Sequence, residues 1–292
     1  MAISPSITSP GVGSGLDVNS IIDKLMTIAK LPLTQLQRKE DDFNAKLSAY
    51  GSIKGALSSL QTAADALTKA ATFNGRPASV ADPAVLSAAA AATAATGSYN
   101  ITVSQLATAH ALRSTANYAT TAETFTTGTL AISVGGGSPV NITIDSSNNT
   151  LAGIRQAIND ANAGVTATII NDGVTNRLVL TSKTTGTGGQ ISVVATDSGS
   201  GGANALAGLD SASLLQTQQA DNALFNINGI DIVRGSNTIT DVIEGVTLKL
   251  TKGTPLDPAS TVLTIGQDTG AVGSAVNAFV KAYNDAVNVL KT

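Results

Sequence analysis

Two different hydrophobic periods divide this 292-residue chain, one at its ends and another in its middle. Between Leu33 and Leu67 the apolar residues step mostly by threes and fours: Leu33, Leu36, Phe43, Leu47, Tyr50, Ile53, Leu57, Leu60, Ala64, Leu67. Near the C-terminus the same stepping returns at Val272, Val276, Phe279, Val280, Tyr283, Ala286 and Leu290. A 3.5-residue period lays one narrow apolar stripe on a helix, and that stripe must be buried against another helix. The intervening sequence is rich in Gly, Thr and Val and alternates with a period of two, as strands do. The pattern predicts an α+β multidomain protein: a helical coiled-coil stalk, built antiparallel from both chain ends, carrying a β-rich head. An ordinary amphipathic helix lying on a domain core is the alternative reading of the stripe.

The helical ends carry punctuation. Residues 1–16 hold Pro5, Pro10, Gly11, Gly13 and Gly15 and no charged side chain, a composition that cannot pack alone and predicts a disordered terminal segment. Asp17 is a candidate N-cap, its carboxylate placed to accept an orphan backbone N–H at the positive end of the helix dipole. Ile21, Ile22, Leu25, Ile28 and Ala29 share one face. Pro32 lacks a backbone N–H, which predicts an end or kink near Lys30 and a second helix over about Leu33 to Ala70. Two irregularities mark the stripe: the Tyr50–Ile53–Leu57 step, whose extra three residues predict local overwinding, and Glu40, a charge on the apolar face.

Strand signals begin at Val85–Ala92 and Gly97–Leu106. Leu130–Val134 and Val140–Ile144 flank Gly135-Gly136-Gly137 and read as a hairpin. LAGIRQAINDA, Leu151–Ala161, reads as a short amphipathic helix, followed by strands at Val165–Ile170, Leu178–Thr181 and Ile191–Ala195. The plan echoes itself. Strand, glycine turn, strand and NNTLAGI (Asn148–Ile154) are matched by LFNIN, Gly229, IDIV and SNTITDVI (Ser236–Ile243), with a strand Val246–Leu250 after it. Two hairpin-plus-helix units are therefore expected, with SGSGG at Ser198–Gly202 as a flexible joint between them. Two β-rich head domains follow, the outer inserted in the inner. The expected division is a terminal segment 1–16, an N-terminal stalk 17–70, an inner β domain 71–115 and 211–268, an outer β domain 116–210, and the start of a C-terminal stalk helix 269–292.

Composition narrows the chemistry. There is no Cys and one His, so disulfides, thiolate nucleophiles, multi-His metal sites and His-paired nucleophiles have no residues to build them within one chain. The dispersed aspartates Asp145, Asp160, Asp172, Asp197 and Asp210 mostly neighbour Gly, Asn or Ser and read as turn formers. His110, near a strand end, reads as structural or exposed. No catalytic, cofactor or metal residue is assigned, and no enzyme is expected. GVGSGLD at Gly11–Asp17 lacks the Gly-Lys-Ser/Thr of a phosphate loop and the spacing of a dinucleotide fingerprint. It suits close backbone approach to another subunit instead. A net charge of −3 without a basic, aromatic-laced cluster gives no nucleic-acid partner. The most apolar run, Val85–Ala95, is too short and too alanine-rich for membrane insertion. The start MAISPSITSPGVGSG has no charged segment followed by an apolar one, so no cleavable signal peptide is expected.

Specific segments add a resemblance. SPGVGSGLDVNSIIDKLMTIAKLPLTQLQRK at Ser9–Lys39 closely resembles the N-terminus of bacterial flagellar filament cap proteins, the hook-associated protein type 2 (FliD) family. TLAGIRQAINDANAGVTATIINDG and NRLVLTSKTTG resemble the repeat that such proteins share with flagellins. ADNALFNINGIDIVRGSNTITDVIEGVTLKL and AVNAFVKAYNDAVNVL resemble the family's return strands and the start of its C-terminal helical region. The resemblance implies an extracellular, non-enzymatic subunit that forms a homo-oligomeric ring at the distal tip of the flagellum and promotes folding and insertion of exported flagellin. It implies hook-associated proteins and an export chaperone as further partners, and export by the flagellar apparatus without cleavage. Gly11, Gly13, Gly15 and Leu16 would belong to the segment that contacts the filament. Leu36, Phe43, Leu47, Tyr50, Leu57 and Leu60 would pack in the stalk with Phe279, Val280 and Tyr283.

Family members continue through more helical sequence, whereas this sequence stops at Lys291-Thr292 in mid-pattern, so a truncated form is expected. Two alternatives stand beside the cap: a filament or hook–filament junction subunit, and a surface adhesin whose outer β domain binds host mucin or other glycans.

Overall fold

The computed structural model describes residues 17–199 and 201–291. The glycine segment Gly11, Gly13, Gly15 and Leu16 lies outside the described residues. In chain order the helices and strands begin with α1 (Val18–Thr68), α2 (Ala70–Phe73), β1 (Ala78–Val80), β2 (Leu86–Ala90), β3 (Gly97–Gln105) and β4 (Ala109–Ser114). They continue with β5 (Gly128–Val134), β6 (Val140–Ile144), α3 (Leu151–Asp160), β7 (Val165–Asn171), β8 (Asn176–Thr185) and β9 (Ile191–Asp197). The remainder are β10 (Leu214–Gln218), β11 (Ala223–Ile227), β12 (Ile230–Arg234), β13 (Thr238–Ile239), β14 (Val246–Leu250), β15 (Ala259–Ile265) and α4 (Thr269–Lys291). Two compact units result, one from the chain up to Phe73 with the chain from Thr269, the other from Asn74–Asp268.

In the helical unit the Asp17 carboxylate caps α1 by accepting the Ser20 N–H at 3.0 Å. The helix then runs unbroken through Pro32 for 51 residues, which corrects the expected end near Lys30 and the separate second helix. Pro32 removes one ladder bond, at a cost of about 3 kcal/mol. Residues 27–36 are exposed all round, so water can take the orphaned carbonyl and strong helix formers on both sides carry the helix across. Lys30, the one charged side chain of this stretch, lies in solvent as well.

α1 and α4 pack together. The half-buried residues of α1 include Ile53, Ala56, Leu60, Ala63 and Leu67, alternately three and four apart. On α4 the covered positions include Val272, Ala275, Phe279, Ala282, Ala286 and Val289, with the same spacing and with both Ala282 and Ala286 buried. That is the a/d pattern of knobs-into-holes packing. It also accounts for the odd step at Tyr50–Ile53–Leu57. Leu36, Phe43, Tyr50 and Leu57 form one seven-residue row, while Ile53, Leu60 and Leu67 form a second row that faces α4. The three-residue step marks the handover between two rows of side chains, so one stripe becomes two.

The β unit has two hydrophobic cores, and all its strand pairs are antiparallel. The first core collects Leu86, Ile101, Val103, Phe225, Leu248 and Leu263 among others. A five-stranded sheet in the order β1-β15-β3-β11-β12 and a three-stranded sheet β13-β14-β2 supply it. The second core lies among sheet β10-β4-β8-β7, sheet β6-β5-β9 and helix α3, and includes Phe125, Ile132, Leu151, Ile154 and Leu180. Tyr118 and Phe125 meet there with ring centroids 5.2 Å apart. Alternating burial along β8 and β15 follows from the period of two that the sequence shows.

Two further expectations are corrected. The segment Ser236–Ile243 contains β13, paired to β14 through Thr238↔Lys249 and Ile239↔Leu248, where the internal echo predicted a helix. In the first copy Thr150 accepts the Gly153 N–H at 3.0 Å and caps α3. In the second, the Asn237 side chain holds both backbone groups of Ala107, at 2.7 and 2.8 Å. The β-branched run Thr238-Ile239-Thr240 then favours extended backbone. The glycine segment around Ser198–Gly202 is no joint between the copies either. Leu206, Leu209 and Leu214 beyond it return to the second core. The chain passes between the cores at Thr108 and Asp221, where the Thr108 N–H reaches the Asp221 carbonyl at 2.9 Å and the Asp221 N–H reaches Thr108 Oγ1 at 3.1 Å. These crossings lie outward of the expected 116 and 210 boundaries.

Candidate functional site

Among the described residues, the most exposed apolar surface of the helical unit is a face of α1. Leu36, Phe43, Leu47, Tyr50 and Leu57 all project into solvent, Leu47 with 72% and Tyr50 with 70% of their surface accessible. Apolar side chains in a seven-residue register are the signature of a helix made to be covered by another. Of the residues expected to pack in the stalk, Leu60 and Phe279 are half-buried on the α1–α4 seam. Leu36, Phe43, Leu47, Tyr50, Leu57, Val280 and Tyr283 are exposed in this chain.

Geometry gives the reason. The 23 residues of α4 extend about 34 Å, against about 76 Å for the 51 residues of α1, at 1.5 Å per residue. Less than half of α1 can therefore lie beside α4. On α4 itself Val276, Val280, Tyr283 and Leu290 make a second row, also exposed. The seam that does form is lined with Ala56, Ala63, Ala282 and Ala286, of which the apolar stripe in the sequence included Ala286 alone. The signal was present in the strict spacing of Ile53, Leu60 and Leu67.

The polar neighbours of the exposed face do not build a reactive centre. The Lys46 ammonium stands 5.9 Å from the Phe43 ring centroid, within cation–π range. Lys281 and Asp285 form an exposed i,i+4 pair at 2.7 Å. Glu40 is exposed on the α1 face, so its charge is hydrated.

Elsewhere the candidate polar residues have structural partners. His110 is buried, its Nδ1 accepting the Ile191 N–H at 3.0 Å and its Nε2 lying 3.3 Å from Gln216 Oε1. The first bond requires a lone pair on Nδ1, so the ring proton sits on Nε2 and both nitrogens are engaged. Asp145 accepts the Ser147 N–H at 2.8 Å, and Asp172 accepts the Val174 and Thr175 N–H groups at 3.0 and 2.7 Å. Those bonds hold both carboxyls below the ordinary range, through the Ser147 side chain first at Asp145 and the Thr175 backbone first at Asp172. Asp210 accepts from Ala212 and Ala195, and Asp160 from Gln156. Each aspartate closes a turn or tethers a neighbour.

Comparison with known proteins identifies the lineage. The family profile for the flagellar hook-associated protein 2 N-terminus matches residues 14–110, that for its C-terminus matches residues 220–292, and the flagellin hook IN motif matches residues 129–184. The chain is 39% identical to the B-type flagellar hook-associated protein 2 of Pseudomonas aeruginosa, over 94% of this chain and 61% of that protein. It is 38% identical to the flagellar hook-associated protein 2 of Escherichia coli (strain K12), over 98% of this chain and 62% of that protein. It thus spans about three-fifths of the length of these relatives. Among solved structures it is similar to the D1-D2-D3 domains of the flagellar cap protein FliD from Escherichia coli, with a TM-score of 0.68 and 34% identity over 84% of this chain and 69% of that one. FliD from Pseudomonas aeruginosa PAO1 matches with a TM-score of 0.59 and 38% identity, over 68% of this chain and 92% of that one. The chain therefore belongs to the flagellar hook-associated protein 2 (FliD) family, a family of structural flagellar cap proteins and not of enzymes.

Proposed function

We propose that this protein is a structural subunit of the cap at the distal, extracellular tip of the bacterial flagellar filament. In this reading several copies form a ring, and exported flagellin folds and inserts beneath it. α1 and α4 are a coiled-coil stalk facing the filament, and the two β cores are head domains, the outer inserted in the inner. The observation that carries the reading is the exposed seven-residue row on α1 in a chain whose relatives are named flagellar cap proteins. Such a row marks a surface that is stabilised when another helix covers it. Gly11, Gly13, Gly15 and Leu16 are assigned to the filament-contacting terminus, with flagellin, hook-associated proteins and an export chaperone as partners.

The test is a deletion strain complemented with the full-length gene. Deletion should release unpolymerised flagellin into the medium, and the wild-type gene should restore filaments. Leu47→Glu with Tyr50→Glu should leave the folded chain intact by circular dichroism yet fail to restore them. Normal filaments in the deletion strain would overturn the proposal.

A further inference from the structure

The sequence contains two Asn-Gly pairs, Asn74-Gly75 and Asn228-Gly229, and the fold treats them in opposite ways. An Asn-Gly pair is open to a spontaneous reaction of the backbone. The glycine nitrogen, losing its proton, attacks the asparagine Cγ; a C–N bond forms, and the carboxamide nitrogen leaves as ammonia. Water then opens the five-membered succinimide at either carbonyl, giving aspartate or isoaspartate. One water enters and one ammonia departs, with no change of oxidation state. Glycine promotes the attack because its backbone turns freely and no side chain blocks the nitrogen. The reaction needs an unengaged glycine N–H and a carboxamide that can rotate onto it.

At Asn228 neither condition is met. Its Oδ1 accepts the Asn100 N–H at 2.8 Å, and its own N–H donates to the Asn100 carbonyl at 2.9 Å. The Gly229 N–H donates to Asn226 Oδ1 at 2.7 Å. With φ of 50° and 89°, the pair forms the tight turn between β11 and β12.

At Asn74 both conditions are met. The residue is exposed at the bend following α2. Among the described residues neither its carboxamide nor the Gly75 N–H makes a hydrogen bond. Position 75 is also held to glycine by packing, since a Cβ there would lie 2.9 Å from Asp268 Cβ. The close approach that excludes a side chain at 75 thereby leaves the labile pair in place.

We propose that Asn74 is a site of spontaneous deamidation and isoaspartate formation, and that Asn228 is shielded from it by its turn. The isoaspartyl product lengthens the backbone by one carbon just before the Gly75 carbonyl, which accepts the Asp268 N–H at 3.1 Å. It also replaces a neutral carboxamide by a carboxylate at position 74. The β1–β15 ladder starts three residues away at Ala78↔Ile265, so ageing loosens that end of the sheet.

The full chain is held in mildly alkaline buffer at physiological temperature and followed by peptide mapping, with enzymatic isoaspartyl methylation as a second readout. Asn74 should gain one mass unit at a rate within about threefold of the free peptide spanning 72–77. Asn228 should convert at least ~10-fold more slowly than Asn74, the factor that about 1.4 kcal/mol of hydrogen bonding supplies. Asn74→Gln should abolish the methylation signal, and Asn226→Ala, which frees the Gly229 N–H, should speed conversion at Asn228. Equal rates at the two sites, or no conversion at Asn74 while the peptide converts, would overturn the proposal.

Discussion

His110 shows what a single residue contributes and why its role is hidden in the sequence. QLATAHAL places it near a strand end, but the groups that engage its ring come from Ile191 and Gln216, about 80 and 106 positions away. His110→Ala removes the acceptor of a buried backbone N–H and should cost about 1–3 kcal/mol in urea unfolding. His110→Asn, whose Oδ1 can replace the Nδ1 acceptor, should recover part of that loss. Equal losses for the two variants would show that ring packing, and not the bond to Ile191, is what matters. The triple glycine is a similar case. The sequence marks Gly135-Gly136-Gly137 as a turn without ranking its members. Gly135 and Gly136 have φ of 63° and 74°, but a Cβ at 135 would lie 2.2 Å from the Gly188 carbonyl oxygen while 136 faces open space. Gly136→Ala should therefore cost only the left-handed backbone penalty, about 1–2 kcal/mol. Gly135→Ala should cost clearly more, and the difference between their unfolding free energies measures the clash.

Elements were legible where one period ran without interruption. β5, β6, α3 and the β11–β12 hairpin fall within a few residues of where their patterns put them. β10 and β15 were missed because LLQTQ and ASTVLTI are short or Thr-rich and sit among turn residues. β13 was misread because a capping sequence that starts α3 in one copy is captured by Ala107 in the other. On α1 the sequence showed that a stripe exists, yet hydropathy ranks Ala56 and Ala63 too low to reveal which row meets α4. The two rows make separable predictions. Leu60→Ala should destabilise the helical unit by about 1–2 kcal/mol, less than the 2–5 of a fully buried leucine because it is half-exposed. Ala282→Leu, at a buried position on the facing seam, should cost about 1–3 kcal/mol by overpacking. Leu47→Ala, on the exposed row, should change the isolated chain by no more than about 0.5 kcal/mol. Thermal unfolding of the three variants separates the seams, and a large loss at Leu47 would show that the exposed row is covered within one chain.

For the molecule as a whole, the expectation of two β-rich bodies rested on an internal echo, and the structure replaces that echo with two cores of different construction joined at Thr108 and Asp221. The hydrogen bonds that close their turns share one electrostatic consequence. Glu123, Asp145, Asp172, Asp197 and Asp241 are all held below their ordinary pKa, because hydroxyl, amide or guanidinium donors favour the charged carboxylate. At Asp197 the Thr126 hydroxyl is the largest cause, followed by the N–H groups of Ala207 and Leu206 at 3.2 and 3.0 Å, which open the 3-10 turn Leu206–Leu209. A carboxyl with a lower pKa in the folded than in the unfolded state stabilises the fold above its unfolded value, about 3.9 for aspartate. That stabilisation disappears as pH falls through the folded value. The urea midpoint of the β unit should thus stay level from neutral pH down to about pH 5 and decline below about pH 4. Asp197→Asn gives the decisive comparison. Asparagine keeps one oxygen acceptor where the carboxylate has two, so the variant should be less stable than the wild type at neutral pH. The deficit should be under about 1 kcal/mol, because the side chain is exposed and screened by solvent. It should shrink toward zero in acid, where the wild-type carboxyl is itself protonated. A deficit that holds constant across the titration would assign the role of Asp197 to shape and hydrogen bonding alone.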